Sequence, residues 1–373
     1  MDRKFTHTFN PKAEDPTEGA QISLSVESIE NAGLREVLQT PGAKFGTWAL
    51  LESLLAPTDS FSFIEPLGQA REVKVALSGL FGRSVARAYL EKYFNSAAFN
   101  HVSPSFLLNK KKNIWVMRAR KGDLPDWVVT NSSYNEILIA EAKGCHDRAG
   151  PKKSLARAWK QTTRSKVVLN GKRVPVKRIA ITTRWGYENP SVSEPIISVH
   201  DPLDDGDNIS PEEMDAVHIG LVRLHLANLL EPLGYESIAR ALINLTESDE
   251  ATDKMIALQE VEHAGKRVRL KTPSGEERDD LIGRVVTRAG VVKAREVTIQ
   301  DQEVLSKLDF RPTFVGIGRK KLVSAIAGKL DSIRSATRAH PDDKSLSTSH
   351  WTDDDIRGVV IPLGPEHSSI LDD

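Results

Sequence analysis

The strongest structural signal in this sequence is an amphipathic helix followed by short strands. Apolar residues recur every four positions along residues 73–93, which predicts a helix there. The residues of this stripe are Val73, Leu77, Phe81, Val85, Tyr89 and Tyr93. Turn-forming segments then separate three stretches with strand character, at residues 113–119, 125–130 and 136–142.

A second helix and a fourth strand follow in the same region. Residues 152–166 come directly after a Gly-Pro pair and predict a helix, and residues 176–182 are rich in β-branched side chains, which predicts a strand. The order of helix, three strands, helix and strand predicts a mixed α/β core, with a central sheet flanked by helices.

The length of the chain leaves room for more than this core. With 373 residues and 39% hydrophobic residues, we expect two or three domains. We predict an N-terminal accessory region over residues 1–68, a domain containing the α/β core over residues 69–245, and a C-terminal α+β accessory domain over residues 246–373. Within the middle domain, Ser210 and the acids that follow it predict the start of a helix over residues 211–230.

Weaker patterns predict elements in the flanking regions. A helix is predicted over residues 44–55, and two more over residues 253–263 and 320–333. A hairpin is predicted to join residues 267–272 to residues 282–292 through a Pro-Ser-Gly turn.

Charge is distributed unevenly along a chain whose net charge is zero. The 51 basic and 51 acidic residues balance, which argues against a uniformly basic, nucleic-acid-binding surface. Residues 110–184, however, contain 19 Lys or Arg against five acids, a local net charge of +14. Residues 185–222 contain nine acids and no Lys or Arg. A polyanion would be attracted to the first segment and repelled by the second.

Several protein classes are excluded by what the sequence lacks. The single cysteine, Cys145, cannot form an internal disulfide, and no Cys/His cluster has zinc-site spacing. There is no glycine-rich motif for a nucleoside triphosphate or a dinucleotide. No apolar run approaches the ~18 residues of a membrane-spanning helix, and the N-terminus lacks the apolar segment of a secretory signal. We therefore expect a cytoplasmic protein with no membrane partner.

Three residues in the basic segment are of the types found in metal-dependent hydrolytic sites, two acids and a lysine. Asp126 opens one predicted strand, and Glu141 and Lys143 close the next one. Because side chains alternate along a strand, Glu141 and Lys143 leave the same face, and strand pairing would bring Asp126 to that edge. Two adjacent carboxylates repel each other unless they are protonated or bridged by a cation such as Mg²⁺. Lys143 would then orient a metal-bound water or stabilise negative charge on a phosphate.

These residues, together with Pro125, resemble the motif of the PD-(D/E)XK superfamily of restriction endonuclease-like nucleases. The predicted order of elements resembles the core of that family as well. The resemblance implies a restriction endonuclease-like fold in which Asp126 and Glu141 bind Mg²⁺ or Mn²⁺ and Lys143 is the catalytic lysine. It also implies an endonuclease that hydrolyses phosphodiester bonds in DNA, in a context such as bacterial anti-phage defence or restriction.

The sequence departs from the family pattern at two places. Gln161 matches a glutamine that several branches carry on the second helix, but Ser165 stands where the accompanying tyrosine would be. Arg83 stands where many members have an acid on the first helix. Either Glu91 or Glu72 would have to substitute for that acid, which leaves the number of metal ions open.

Basic side chains around the motif are predicted to contact nucleic-acid phosphates, with a solvated surface as the alternative. They are Lys110, Lys111, Lys112, Lys152, Lys153, Arg157, Lys160 and Arg164. Such contacts would position the backbone of the nucleic acid without reading its sequence.

Four alternatives remain open at this point. Asp126, Glu141 and Lys143 could form an ordinary salt bridge at the end of a strand. The core could have lost its activity and serve as a nucleic-acid-binding or assembly subunit. The substrate could be RNA, since recognition of the 2′-hydroxyl leaves no short motif. The protein could also work as a homodimer or with a partner such as an ATPase, a helicase or a methyltransferase.

Overall fold

The computed structural model describes the chain in segments. These are residues 2–9, 21–39, 55, 58–63, 71–145, 151–187, 194–201, 206–247, 251–263, 268–271, 277–287, 290–292, 313–333, 350–352 and 357–360. Its helices are α1 Val26–Gln39, α2 Arg71–Tyr93, α3 Lys152–Thr162, α4 Pro211–Leu230, α5 Glu236–Glu247, α6 Ala251–His263 and α7 Arg319–Ala327.

Strands occur in described segments from residue 2 to residue 360. They are β1 Asp2–Phe9, β2 Gln21–Ser25, β3 Ser62–Phe63, β4 Ser96–His101, β5 Ser105–Asn109, β6 Ile114–Arg118, β7 Trp127–Asn131, β8 Ile137–Cys145, β9 Ser165–Leu169, β10 Lys172–Arg173, β11 Lys177–Arg184, β12 Gly186–Tyr187, β13 Ile196–His200, β14 Val268–Lys271, β15 Glu277–Thr287, β16 Gly290–Val292, β17 Thr313–Gly318, β18 His350–Thr352 and β19 Arg357–Val360. The protein is mixed α/β, as predicted.

A mixed sheet forms the centre of the molecule. Among the described strands its order is β2-β1-β13-β11-β8-β7-β4. Strand β8 pairs parallel with β11 and antiparallel with β7, and β7 pairs antiparallel with β4. Helix α2 packs against β8, and apolar residues of both elements, such as Val85 and Leu138, share one buried cluster. The predicted helix over residues 73–93 is therefore confirmed.

Close packing of α2 on β8 depends on two glycines. A Cβ added to Gly82 would overlap the backbone of Gly144, and a Cβ added to Gly144 would overlap the carbonyl of Ser78. The helix thus approaches the end of β8 at the residue that follows Lys143. Any larger residue at either position would push the two elements apart.

A second, smaller sheet covers the opposite face of the central sheet. It contains the described strands β10-β9-β6-β5. Val116 of β6 and Val167 of β9 pack with Val128 and Ile139 of the central sheet. The strand predicted over residues 113–119 exists as β6, but it belongs to this second sheet, and β4 is the strand that pairs with β7. The Ser-Ala-Ala-Phe sequence of β4 is buried throughout and has no alternating pattern, so no strand signal was visible there.

Two predicted helices differ in length from the observed ones. The helix predicted over residues 152–166 ends at Thr162, because β9 begins at Ser165 and pairs with β6. Arg178 closes this boundary by donating hydrogen bonds to the carbonyls of Thr162 and Ser165. Helix α7 ends at Ala327, because Gly328 adopts a left-handed conformation with φ of 70°. A separate helical turn covers residues 330–333, so the helix predicted over residues 320–333 exists in two parts.

Other predicted elements agree with the structure wholly or in part. Helix α4 spans residues 211–230 and begins with a capping box formed by Ser210 and Glu213. Helix α6 covers the predicted residues 253–263. Strands β14 and β15 pair antiparallel, as the predicted hairpin requires, but β15 spans Glu277–Thr287. Residues 290–292 form the separate strand β16, which pairs antiparallel with β15, so the prediction of one continuous strand over residues 282–292 is wrong. The helix predicted over residues 44–55 lies, except for Leu55, outside the described residues.

The predicted domain divisions stay predictions, although buried clusters cross them. Strands β1 and β2 extend the central sheet, and Phe5 and Leu24 belong to the same cluster as α2. A second cluster joins residues on both sides of position 246, including Leu226, Leu242 and Val315. Of the helices that the structure describes, none has the length and apolar character needed to cross a membrane.

Candidate metal centre

Asp126, Glu141 and Lys143 meet where β7 begins beside β8. Trp127 pairs with Ala140, so Asp126 lies opposite Glu141 across the two antiparallel strands. The Asp126 backbone N–H donates a hydrogen bond to Glu141 Oε2 at 2.9 Å, and the Ala142 N–H donates one to Asp126 Oδ2 at 2.9 Å. Each carboxylate is therefore held by the backbone of the other strand.

Lys143 completes this group on the face predicted from strand alternation. Its ammonium forms an ion pair with Glu141 Oε1. The Glu141 side chain is 1% exposed, whereas Lys143 is 36% exposed and Asp126 19%. The group thus has a buried carboxylate at its base and two side chains that reach solvent.

The environment of Glu141 disfavours the ionisation of its carboxyl. Burial raises the pKa of Glu141, the negative charge of Asp126 raises it further, and Lys143 opposes both effects, so that the pKa reaches about 8. Near neutral pH this pair retains a proton that isolated carboxylates would have lost. A divalent cation could replace that proton and relieve the same repulsion.

Arg83 of α2 approaches this pair from the side. Its Nε lies 3.4 Å from Asp126 Oδ1, and its terminal nitrogen lies 2.7 Å from Glu36 Oε1. The same nitrogen lies 3.0 Å from His101 Nδ1, and the guanidinium lies over the Trp127 ring at 5.6 Å from its centroid. The position at which the sequence resemblance led us to expect an acid therefore carries a cation beside Asp126.

Glu36 of α1 is a buried acid that the sequence interpretation missed. It accepts from Arg87 at 3.2 Å and from the Trp127 indole N–H at 3.1 Å, in addition to its ion pair with Arg83. Burial alone would raise its pKa, but nearby His101, Arg83 and Arg87 and the Trp127 hydrogen bond lower it below its usual value. Arg83 and Arg87 are four residues apart on α2, and a pair of arginines on a partly apolar helix is a signal that an acidic partner is needed.

Glu91 is not brought to the site, which corrects its prediction as a substitute acid. Its carboxylate is buried between Arg35, at 2.6 Å, and Arg87, at 3.2 Å. It also lies eight residues beyond Arg83, which corresponds to about 12 Å along a helix. Glu72 lies near the start of α2, roughly 16 Å from Arg83 by the same measure.

Gln161 acts on the segment before Asp126 rather than on the carboxylates. Its buried amide donates to the Leu124 carbonyl at 3.0 Å. Arg164 donates to the Asp123 carbonyl at 3.0 Å, and the Ala119 N–H donates to the Arg164 carbonyl at 2.7 Å. The end of α3 therefore holds the loop that leads into Asp126.

Seven of the eight predicted phosphate-binding residues fall into two groups, and the eighth, Arg164, is partly buried and bonded to the loop before Asp126. Lys152, Lys153, Arg157 and Lys160 are exposed on α3, which packs on β8 and β11, and we call them the α3 basic stripe. Residues 110–112 are exposed in the turn between β5 and β6, at the far end of this hairpin from the loop that leads to Asp126. Strand β6 alone separates these two ends by about 13 Å. The lysines of residues 110–112 therefore do not flank the carboxylates, contrary to expectation.

The acidic segment lies against this distant group. The pKa of Glu212 is lowered by hydrogen bonds from its own backbone and from Ser210, and by the positive charge of Lys112. The Asp207 carboxylate accepts from the Arg173 N–H at 2.6 Å, in the next turn of the same sheet. Parts of the positive and negative segments therefore lie near each other in space, and the charge of Glu212 opposes that of Lys112.

The donor set fits a hard cation with few protein ligands. In the part of the chain that the structure describes, no group of three or more His, Cys, Asp or Glu side chains could hold a metal ion. Mg²⁺ commonly uses one or two carboxylates and completes its coordination with water and substrate phosphates. Asp126 and Glu141 meet that lower requirement.

Comparisons with protein-family models, with curated proteins and with solved structures found no match. The residues of the site itself are therefore the basis on which a function can be proposed.

Proposed function

We propose that this protein is a Mg²⁺-dependent nuclease that hydrolyses phosphodiester bonds in DNA. The observation that carries the proposal is the pair of hydrogen bonds by which the backbone of each strand holds the carboxylate of the other, Asp126 or Glu141, with Lys143 on the same face of β8 as Glu141. The succession α2, β4, β7, β8, α3, β11 is consistent with the order of elements in restriction endonuclease-like cores. An ordinary salt bridge at a strand end would need only Glu141 and Lys143. It would not need Asp126, whose negative charge raises the pKa of Glu141.

Each residue has a role that follows from its position. Asp126 and Glu141 would hold the ion, which when bound lowers the pKa of a coordinated water and polarises the phosphate. Lys143 reaches solvent while it contacts Glu141, so its ammonium can orient that water or oppose negative charge on the phosphate. Gln161 would hold the backbone of the Asp126 loop in register.

DNA would approach along the α3 basic stripe. The stripe lies on the helix that packs over β8, the strand that carries Glu141 and Lys143. Its side chains are exposed, and contacts from such residues to phosphates are independent of base sequence and weaken steeply with salt. We therefore assign the backbone contacts to this stripe rather than to residues 110–112.

A cleavage assay tests the proposal. The full chain is incubated with supercoiled plasmid, linear duplex, single-stranded DNA and matched RNA, each with Mg²⁺, Mn²⁺ or chelator. We expect metal-dependent cleavage of DNA that Lys143→Ala abolishes and that Lys111→Ala, a distant lysine, leaves intact. Cleavage confined to RNA would change the substrate class. An intact set of substrates under all conditions, or full activity of Lys143→Ala, would refute the proposal.

The contact between Arg83 and Asp126 favours a second candidate, a binding or assembly subunit without catalysis. A guanidinium beside Asp126 supplies part of the positive charge that a metal ion would otherwise provide. In that case DNA binding would persist unchanged in chelator and in the Asp126→Ala and Glu141→Ala variants. Metal-dependent cleavage by the unmodified protein would exclude this candidate.

A further inference from the structure

We infer that Arg83 is a built-in counter-cation of the carboxylate pair and competes with a divalent ion for Asp126. The inference rests on the proposed function, because it takes Asp126 and Glu141 as the ligands of that ion. It assigns Arg83 the role of setting how tightly the site binds metal.

The contacts of Arg83 are unequal. The contact with Glu36 is short, at 2.7 Å, whereas the contact with Asp126 is 3.4 Å, beyond the usual range of a charged hydrogen bond. His101 and the Trp127 ring hold the same guanidinium at 3.0 Å and 5.6 Å. Arg83 can therefore release Asp126 and keep its other contacts.

Glu36 is held in turn by a buried network. Arg87 links Glu36 to Glu91, and Glu91 binds Arg35 of α1. All members of this network except Arg83 are buried, and Arg83 is 30% exposed. The terminal nitrogen of Arg83 is thus anchored to a buried network, while its Nε faces Asp126.

Arg83 and a divalent ion would repel each other if both were close to Asp126. An ion held by Asp126 would share that carboxylate with Arg83, whose Nε is 3.4 Å from Asp126 Oδ1. Two positive centres at one carboxylate in a partly buried site repel each other strongly. Part of the ion's binding free energy must therefore offset the loss of the contact between Arg83 and Asp126.

Removal of the charge separates this role from a purely positioning role. If Arg83 only positions Asp126, then Arg83→Gln should disorder the ligand and weaken metal binding. If Arg83 is a competing cation, Arg83→Gln should tighten metal binding. We expect a change of about tenfold, the size typical when a residue that contacts a metal ligand is replaced. Arg83→Lys keeps the charge and should leave the affinity close to that of the unmodified protein.

The experiment is a titration of the full chain with Mn²⁺ in the absence of nucleic acid. Free Mn²⁺ is followed by electron paramagnetic resonance, and heats are measured by calorimetry. Asp126→Asn is included as the control that should lose binding. Circular dichroism verifies that each variant is folded. If Arg83→Gln does not fold, Arg83→Met, which keeps an aliphatic stem over Trp127, replaces it with the same expectation.

The outcomes distinguish the two levels of the argument. Tighter binding in Arg83→Gln but not in Arg83→Lys supports the inference. Unchanged or weaker binding in Arg83→Gln overturns it, and the proposed function still stands if the unmodified protein binds Mn²⁺ and Asp126→Asn does not. Failure of the unmodified protein to bind Mn²⁺ overturns both the inference and the metal site on which it rests.

Discussion

Glu141→Gln should stabilise the metal-free protein, and the gain should grow with pH. Burial and the charge of Asp126 raise the pKa of Glu141 from 4.5 to about 8. In the unfolded chain this carboxyl loses its proton near its ordinary pKa, whereas in the folded protein it keeps the proton until the pH approaches 8. The contribution of Glu141 to stability therefore falls as the pH rises from about 4.5, and it levels off above about 8. Glutamine has no proton to lose, so the variant lacks this fall.

The size of the effect follows from the pKa. At about 1.4 kcal/mol per pKa unit, a change from 4.5 to about 8 corresponds to roughly 5 kcal/mol. The pKa of about 8 already includes the ion pair with Lys143, so this figure is the most by which the pH dependence of the two proteins can differ. We expect the free energy of unfolding of the variant, relative to the unmodified protein, to increase by about 2 to 5 kcal/mol between pH 4 and pH 9.

Urea denaturation of both proteins, followed by circular dichroism in chelator, measures this difference directly. Groups distant from Glu141 titrate alike in the two proteins and cancel. Mn²⁺ should reduce the difference at high pH, since the ion binds only the carboxylate form. A difference between the two proteins that stays constant within about 0.5 kcal/mol from pH 4 to pH 9 would refute the reasoning, because it would mean that Glu141 ionises without a penalty.

Four further results are expected. Gly82→Ala should lower the free energy of unfolding by about 1 to 3 kcal/mol, because its Cβ overlaps Gly144; thermal denaturation would show a smaller effect if α2 can shift. Glu91→Gln should cost about 3 to 5 kcal/mol, since it leaves Arg35 and Arg87 without their shared partner, and urea denaturation checks this. Gln161→Ala should reduce the cleavage rate more than it reduces DNA affinity, and a loss of affinity alone would contradict its role on the Asp126 loop. Replacing three residues of the α3 basic stripe with Gln should reduce the slope of log affinity against log salt concentration by about 0.9 per lost phosphate contact. The same change at residues 110–112 should leave that slope unaltered. Fluorescence anisotropy of labelled DNA at several salt concentrations measures both.

Local sequence patterns were sufficient to predict much of the secondary structure in the central region. The stripe of α2, the capping box of α4 and the β-branched composition of β11 are short-range signals, and each element lies close to its predicted position. The common face of Glu141 and Lys143 followed from strand alternation alone. Such features depend on residues that are a few positions apart, so they can be predicted directly from the sequence.

Other features could not be predicted because they join distant parts of the chain. Strand β4 has no alternating pattern, and only its position beside β7 makes it part of the sheet. Strand β6 has a clear strand pattern, but the pattern does not say which sheet it joins. The acidic segment opposes residues 110–112 because helix α4 begins beside their turn.

The amino-acid order by itself determined the three chemical groups of the site and the strands that carry them, since those depend on spacing along two neighbouring strands. Only the tertiary structure decided what surrounds them. The packing of α1 on α2 brings Glu36 to Arg83 and Arg87 across about fifty positions of sequence, and α2 packed on β8 brings Arg83 to Asp126. A buried charge must find a partner somewhere in the fold, but its sequence neighbours do not reveal which one.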